Sequence, residues 1–490
     1  MSSFSSIHVN PISKAQATTN LCEPAPLHAA TRAAIDASLR IPMLLLVRAS
    51  VFWLIIGSLL GLISALKLMI PSFLDGPSFL TYGRLFPVAC DLLLYGWAIP
   101  IGIAVSLWLM ARLCAAPLRF VKLLICAAAF WNIGVFLGSL AILCGYSTSV
   151  EWLEYPQWAS FILFVSFLLM GIWIVLLFST RQPRSLYVSQ WYLLTALCSF
   201  PWIYATANTL LTWGHLQGPA QGPVHWWYVG SFLGLWLTPL ALAVIYYIIP
   251  KITGVTIYSY NLVLIGFFSL LFFAAWSGMS YLIGGPLPAW MVSASVVANV
   301  LMVIPVAAVL VNFYKMLQGH HAVIIESPAL RFTGVGIISY AIVTLIGVVN
   351  AIPSVNAVLH FTDYTSGMMM LSLLGFFSMT LFGAIYYILP RLSNISWSST
   401  SLVRWHFWLA TTGVSLMVFS MIFGGVTEGI ALEDPAIIFV NILSYAAPWR
   451  WLVGFSWILL LASYLAFARL LVTMRWSSIA NCKAAVEVTS

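Results

Sequence analysis

The sequence predicts an all-α integral membrane protein of twelve transmembrane helices, arranged as three four-helix units. Three observations carry this. Of 490 residues, 62% are hydrophobic and only 7% charged, far outside the soluble range. Apolar runs of about 20 residues, the length that crosses a bilayer, recur along the chain. One motif that closes such a run, AVIYYIIPKITG at 243–254, returns 140 residues later as GAIYYILPRLSN at 383–394.

Residues 1–40, rich in Ser, Thr, Ala and Pro, lack the n-region and h-region of a signal peptide and read as a disordered cytoplasmic tail. The membrane domain is expected over 41–475, with a short cytoplasmic tail at 476–490. Its spans read 48–70, 87–111, 121–143, 158–180, 188–213, 226–249, 260–283, 289–314, 332–352, 366–389, 405–424 and 448–473.

With both termini inside, 17 of the 20 Lys and Arg residues, all but Lys67, Arg84 and Arg450, fall on the inner side. That is the bias expected of inner loops and predicts a bacterial-type inner membrane. The net charge of +8 then reports topology, and no nucleic-acid partner is implied. Seven cysteines without CxxC or CxxCH spacing imply no disulfide framework, zinc site or attached c-type heme.

Each copy of the repeated motif places a Tyr pair at headgroup level, a Pro that ends the helix and a basic residue beyond it. The copies end the sixth and tenth spans, so the unit is four helices and the whole is three units. A major-facilitator transporter would repeat after three or six helices instead.

Longer stretches carry a family resemblance. YGRLFPVACDLLLYGWA (82–98), WWYVGSFLGLWLTPLALAVIYYIIPKITGVTIYSYNLVLIGFF (226–268), AAWSGMSYLIGGPLPAW (274–290) and SVNAVLHFTDYTSGMMMLSLLGFFSMTLFGAIYYILPRL (354–392) resemble subunit I of heme-copper oxidases, in particular the cbb-type cytochrome c oxidase. The resemblance implies a pseudo-threefold ring of twelve helices, oxygen reduction coupled to proton translocation, two hemes and one copper. It also implies six histidine ligands, and at those positions this chain departs from the family. The low-spin heme positions are Ala89 and Met370, and the high-spin heme position is Met368. The copper positions are Gly230, Ser280 and Tyr281, and the cross-linked tyrosine aligns with Ala274; a neighbouring family arginine aligns with Phe86. His360 and Asp363 survive from the family motif, in a region associated with the heme propionates, where ordinary interface polarity would serve equally.

The eight histidines agree without alignment. His8 and His28 lie in the tail, His215, His225 and His360 on the outer side, His320 and His321 in an inner loop, and His406 at the inner start of the eleventh span. None is placed near the midplane, so imidazole-bound copper or a bis-His heme is not available.

Two readings of the consecutive Met368, Met369 and Met370 follow. Thioether sulfur can ligate heme, and residues two apart on a helix project about 200° apart, so one helix can serve two hemes. Met370 then lacks a partner at Ala89, and Cys90 is rotated by about 100°. The other reading is that flexible, polarisable methionine fills space vacated by cofactors, with Phe86, Met279, Tyr281 and Phe232 reducing the voids that would otherwise cost stability.

Asp91 is the one carboxylate within the spans. Such groups are costly and often functional, which makes it the candidate for a proton or ion path; pairing with Arg84 or water is the simpler account. The expectation is a non-catalytic membrane subunit with no bound cofactor, in contact with lipid. Its partners would be respiratory subunits such as a membrane-anchored cytochrome c subunit or an active oxidase homologue. An oxygen- or nitric oxide-reducing enzyme with Met or Cys heme ligation, and an ion conductor on the same scaffold, are the alternatives.

Overall fold

The computed structural model describes residues 29–181, 186–214 and 216–489. His8, Cys22, His28 and His215 lie outside these residues. The chain is an array of helices: α1 Ala29–Met69, α2 Tyr82–Cys114, α3 Val121–Leu143, α4 Gln157–Ser179, α5 Val188–Ala207, α6 Gly218–Thr253, α7 Tyr260–Ala274, α8 Ala289–Leu317, α9 Pro328–Asn350, α10 Asp363–Ser393, α11 Thr400–Glu433 and α12 Phe439–Thr489. Ten are long and apolar enough to span a membrane. The other two, α5 and α7, stand where the fifth and seventh spans are expected. The fold is all-helical and multi-pass.

Three helices form the centre. The most apolar 18-residue windows of α2, α6 and α10 are 100%, 89% and 94% buried, against 28–50% for those of the other seven long helices, so the remainder form a lipid-facing ring. Each central helix is interrupted by a π segment, Leu92–Ala98, Phe232–Leu237 and Leu371–Ser378. The segments start 140 and 139 residues apart. Each central helix also ends on a left-handed residue, Ala115, Gly254 and Asn394, at intervals of 139 and 140. The interval seen in two copies of a sequence motif is therefore present three times in the backbone, which is the pseudo-threefold arrangement.

The π segments meet in the interior. Trp97 Nε1 donates to Ser378 Oγ at 2.8 Å, joining the segments of α2 and α10. The Tyr95 carbonyl accepts from Trp131 Nε1 at 2.8 Å. Each such bond satisfies a polar group for which lipid has no partner.

Three expectations change. Residues 29–40, placed in the disordered tail, are helical; Ile35 and Leu39 are fully buried, and Asp36 pairs with Arg112 at 2.5 Å, which anchors this turn to α2. The last helix continues to Thr489, through the stretch read as a second tail. The Tyr pairs are not headgroup anchors. Tyr246 and Tyr386 are 0% and 4% exposed; Tyr246 stacks on Tyr192 and the Tyr386 hydroxyl bonds His406 Nδ1 at 2.8 Å. On a central helix every face meets protein, so an interface motif turns inward.

Candidate functional site

Four of the six aligned ligand positions share one structural setting, just before a π segment, while Ser280 and Tyr281 lie in the short turn Ser277–Leu282 after α7. Ala89 precedes the π segment of α2 by three residues, Gly230 that of α6 by two, and Met368 and Met370 that of α10 by three and one. A π turn re-aims the side chains that follow it, and such turns concentrate at functional sites.

Gly230, Ala274, Tyr281 and Met368 come together and line one cavity of about 120 Å³, with Ser277, Asn299 and Tyr340 among the other walls. Ala89, Ser280 and Met370 are not among its walls. Met368 packs with Leu359 and Tyr364 in a small cluster, whereas Met369 and Met370 belong to the main core. Ser280 is held behind the cavity. Its amide donates to Ser295 Oγ at 2.8 Å, and Asn299 Nδ2 donates to Ser280 Oγ at 2.9 Å and to the Ser277 carbonyl at 2.8 Å. Tyr281 stacks on Trp226 with ring centres 4.4 Å apart.

Small residues have drawn the α7 end onto α6. A Cβ placed on Gly230 would stand 2.8 Å from the Gly278 Cα and 2.9 Å from its N, and one on Gly234 would stand 2.6 Å from the Ala274 Cβ. No imidazole fits at 230 with the helices at this distance. The space is closed by approach of backbone as well as by bulky side chains. Of the latter, Phe232 sits among Trp152, Phe200, Tyr228 and Trp236, and Phe86 stacks on Tyr82.

This donor set does not fit two hemes and a copper. Thioether, hydroxyl and amide groups line the cavity, and its volume is below the ~300 Å³ at which small-molecule sites begin. Among the described residues no three His, Cys, Asp or Glu side chains are placed to hold a metal ion.

A second constellation lies on α2 near its N-terminal end. Asp91 is fully buried and neither carboxylate oxygen has a donor. Arg84, its expected partner, instead donates to the Leu143 carbonyl at 2.9 Å. Asp91 lies beside Glu154, and the two carboxyls interact electrostatically. Glu154 is itself 6% exposed, and its Oε2 has no donor. Two buried carboxyls this close disfavour a second negative charge, so one of them is held protonated. Burial, reinforced by Glu151, holds the Glu154 carboxyl well above the usual carboxylate range. The Tyr95 hydroxyl, close by, donates to the Trp152 carbonyl and bonds Tyr228 Oη at 2.8 Å.

Glu154 was legible only as a charged residue between spans. The loop that carries it folds into the bundle, with Trp152, Leu153 and Tyr155 at most 4% exposed and Trp152 at φ +64°. The signal was its string of apolar and aromatic neighbours, WLEYPQW.

The retained polar residues separate. Asp363 joins an ion cluster in which Arg450 approaches it at 3.7 Å and Glu428 at 3.1 Å. His360 stands apart in the turn before α10, edge-on to Phe361, and burial lowers its pKa.

Comparison with known proteins places this geometry. The family described as Cytochrome C and Quinol oxidase polypeptide I matches residues 42–472. The chain is 28% identical over 405 residues to a cytochrome c oxidase subunit 1 homolog of Agrobacterium tumefaciens, covering 79% of this chain and 74% of that protein. It is 27% identical over 394 residues to the Cbb3-type cytochrome c oxidase subunit CcoN1 of Stutzerimonas stutzeri, covering 78% and 82%. A heme-copper terminal oxidase dimer solved by cryo-electron microscopy shares the fold, with a TM-score of 0.68 at 17% identity over 91% of this chain and 84% of that one.

Proposed function

Because this chain belongs to the cytochrome c and quinol oxidase polypeptide I family, we propose that it is a non-catalytic subunit I paralogue, which keeps the oxidase scaffold and has given up the redox centres. The carrying observation is the Gly230–Gly278 contact, which takes up the space where a copper histidine would stand, with Gly234 drawn onto Ala274 beside it. Its relatives are oxidase subunits, so its working context is a respiratory membrane complex. The partner would be a membrane-anchored cytochrome c subunit or an active homologue, in a bacterial-type inner membrane with both termini cytoplasmic.

The test is a reduced-minus-oxidised spectrum with pyridine hemochrome and copper analysis, on protein purified in mild detergent from its own host. No Soret band and no copper are expected. One heme per chain, with a Soret band lost in Met368→Ala, would overturn the proposal in favour of an oxidoreductase with methionine or cysteine ligation.

The Asp91–Glu154 pair favours a second reading, a proton path on the same scaffold. It predicts proton flux into liposomes holding the purified protein, reduced by Asp91→Asn. Flux unchanged by that substitution would remove its support.

A further inference from the structure

At the end of the bundle where α2, α6 and α10 terminate, the three helices repeat an aromatic residue followed four positions later by a cation. The pairs are Trp108 and Arg112, Tyr247 and Lys251, and Tyr387 and Arg391, with aromatic positions 139 and 140 residues apart. Positions four apart share a helix face, so each ring lies beneath its own cation. The Arg391 guanidinium is 3.6 Å from the centre of the Tyr387 ring, and Arg112 is 5.1 Å from that of Trp108.

The three rings meet edge to face, with centres 5.7 Å apart for Trp108 and Tyr247, 6.2 Å for Trp108 and Tyr387, and 6.3 Å for Tyr247 and Tyr387. They form the floor of a cavity of about 790 Å³, whose fourth wall is the start of α1. Arg32 and Arg40 from α1 join the three helix-end cations in the lining, and Asp36 is the one carboxylate there. That carboxylate is engaged by Arg112.

One cation at each of three helix C-termini would be accounted for by the helix dipoles. Arg32 is not. It stands in the first turn of α1, where the dipole disfavours positive charge, yet it lines the same cavity. Among the described residues of the lining, Asp36 is the one carboxylate and Arg112 engages it, so Arg32, Lys251 and Arg391 in a space of the size that holds small molecules suit an anionic ligand. Arginine forks suit the oxygens of a phosphate, and the aromatic floor suits an apolar or ring-bearing part of the same molecule.

We propose that this cavity is a binding site for a phosphate-bearing anion, centred on the pseudo-threefold axis. The phosphate comes either from a soluble phosphate ester or from the headgroup of an anionic phospholipid. The site lies at the opposite end of α2 from the Asp91–Glu154 pair and does not depend on whether the chain holds heme.

The test uses the full chain in mild detergent, with inorganic pyrophosphate and adenosine triphosphate as probes in calorimetric titration. Saturable binding is expected, weakened by salt and lowered roughly tenfold in Lys251→Gln and in Arg391→Gln. Their size-exclusion profile and ligand-free melting should match the wild type, Lys251→Gln being the safer fold because Lys251 is exposed. In a parallel arm, phospholipid retained after exhaustive detergent washing is identified by mass spectrometry. Retention of an anionic phospholipid by the wild type and its loss in the double variant assigns the headgroup as source; probe binding without retained lipid assigns a soluble ester. Absence of both, or probe binding unaltered in the variants, overturns the proposal.

Discussion

Gly230→His, which restores the imidazole that the family resemblance calls for, is expected to destabilise the protein sharply and to bind no copper. The obstacle is backbone. The first side-chain atom would already lie under 3 Å from the Cα and N of Gly278, and the turn that carries Gly278 is pinned by the Ser277, Ser295 and Asn299 hydrogen bonds. Overpacking a well-filled interior costs about 1–3 kcal/mol for added methylenes, and a whole imidazole against backbone belongs at or beyond the top of that range. Thermal unfolding in detergent should show a melting temperature lower by several degrees, or loss of the folded peak in size exclusion. Gly222→Ala is the control. Its Cβ meets only the end of Leu282 at 3.5 Å, and it should be tolerated. A Gly230→His protein that melts like the wild type and takes up copper would show that the helices can separate, and the non-catalytic reading would fall with that result.

Raising the pH from about 4.5 to about 8 is expected to lower stability, and Glu154→Gln is expected to flatten that slope. Burial lifts the folded-state pKa of Glu154 from 4.5 to about 8, so within this window the folded chain holds a proton that the unfolded chain releases. Stability from this group is therefore fully present below about 4.5 and lost as pH rises through about 8. The limiting slope is about 1.4 kcal/mol per pH unit for one proton. His360 acts with the opposite sign: its lowered pKa makes stability rise with pH up to its ordinary value. Comparing wild type with Glu154→Gln isolates the carboxyl. A melting temperature with the same pH dependence in both would mean that the folded chain does not hold Glu154 protonated.

Much of the architecture is readable from residue patterns. Apolar length predicts where each helix crosses, because a bilayer imposes a length on any segment that satisfies its own backbone. Ten of the twelve expected spans coincide with helices long and apolar enough to cross a membrane, with α5 and α7 at the other two, and the 140-residue interval of the YYxxP motif anticipates the threefold backbone. The motif stretches point to the family that matches residues 42–472.

What packing alone decided is which surfaces meet. The apolar windows of α2, α6 and α10 are no more hydrophobic than those of the outer ring. Hydropathy scores a segment against lipid and is blind to whether its neighbour is lipid or protein, so the central trio, and with it the inward turn of Tyr246 and Tyr386, needed the tertiary structure. The same holds for Glu154, which is polar in sequence and outside every span but is carried into the core by a folded loop. It holds too for Gly230, where an absent side chain reads as a lost ligand in sequence and as a backbone contact with Gly278 in the fold. Residue order determined that this chain is an all-helical, multi-pass membrane protein of the oxidase family; three-dimensional packing determined that its carboxyl pair is buried, that Gly230 lies against the Gly278 backbone, and that five cations line one cavity at the ends of the central helices.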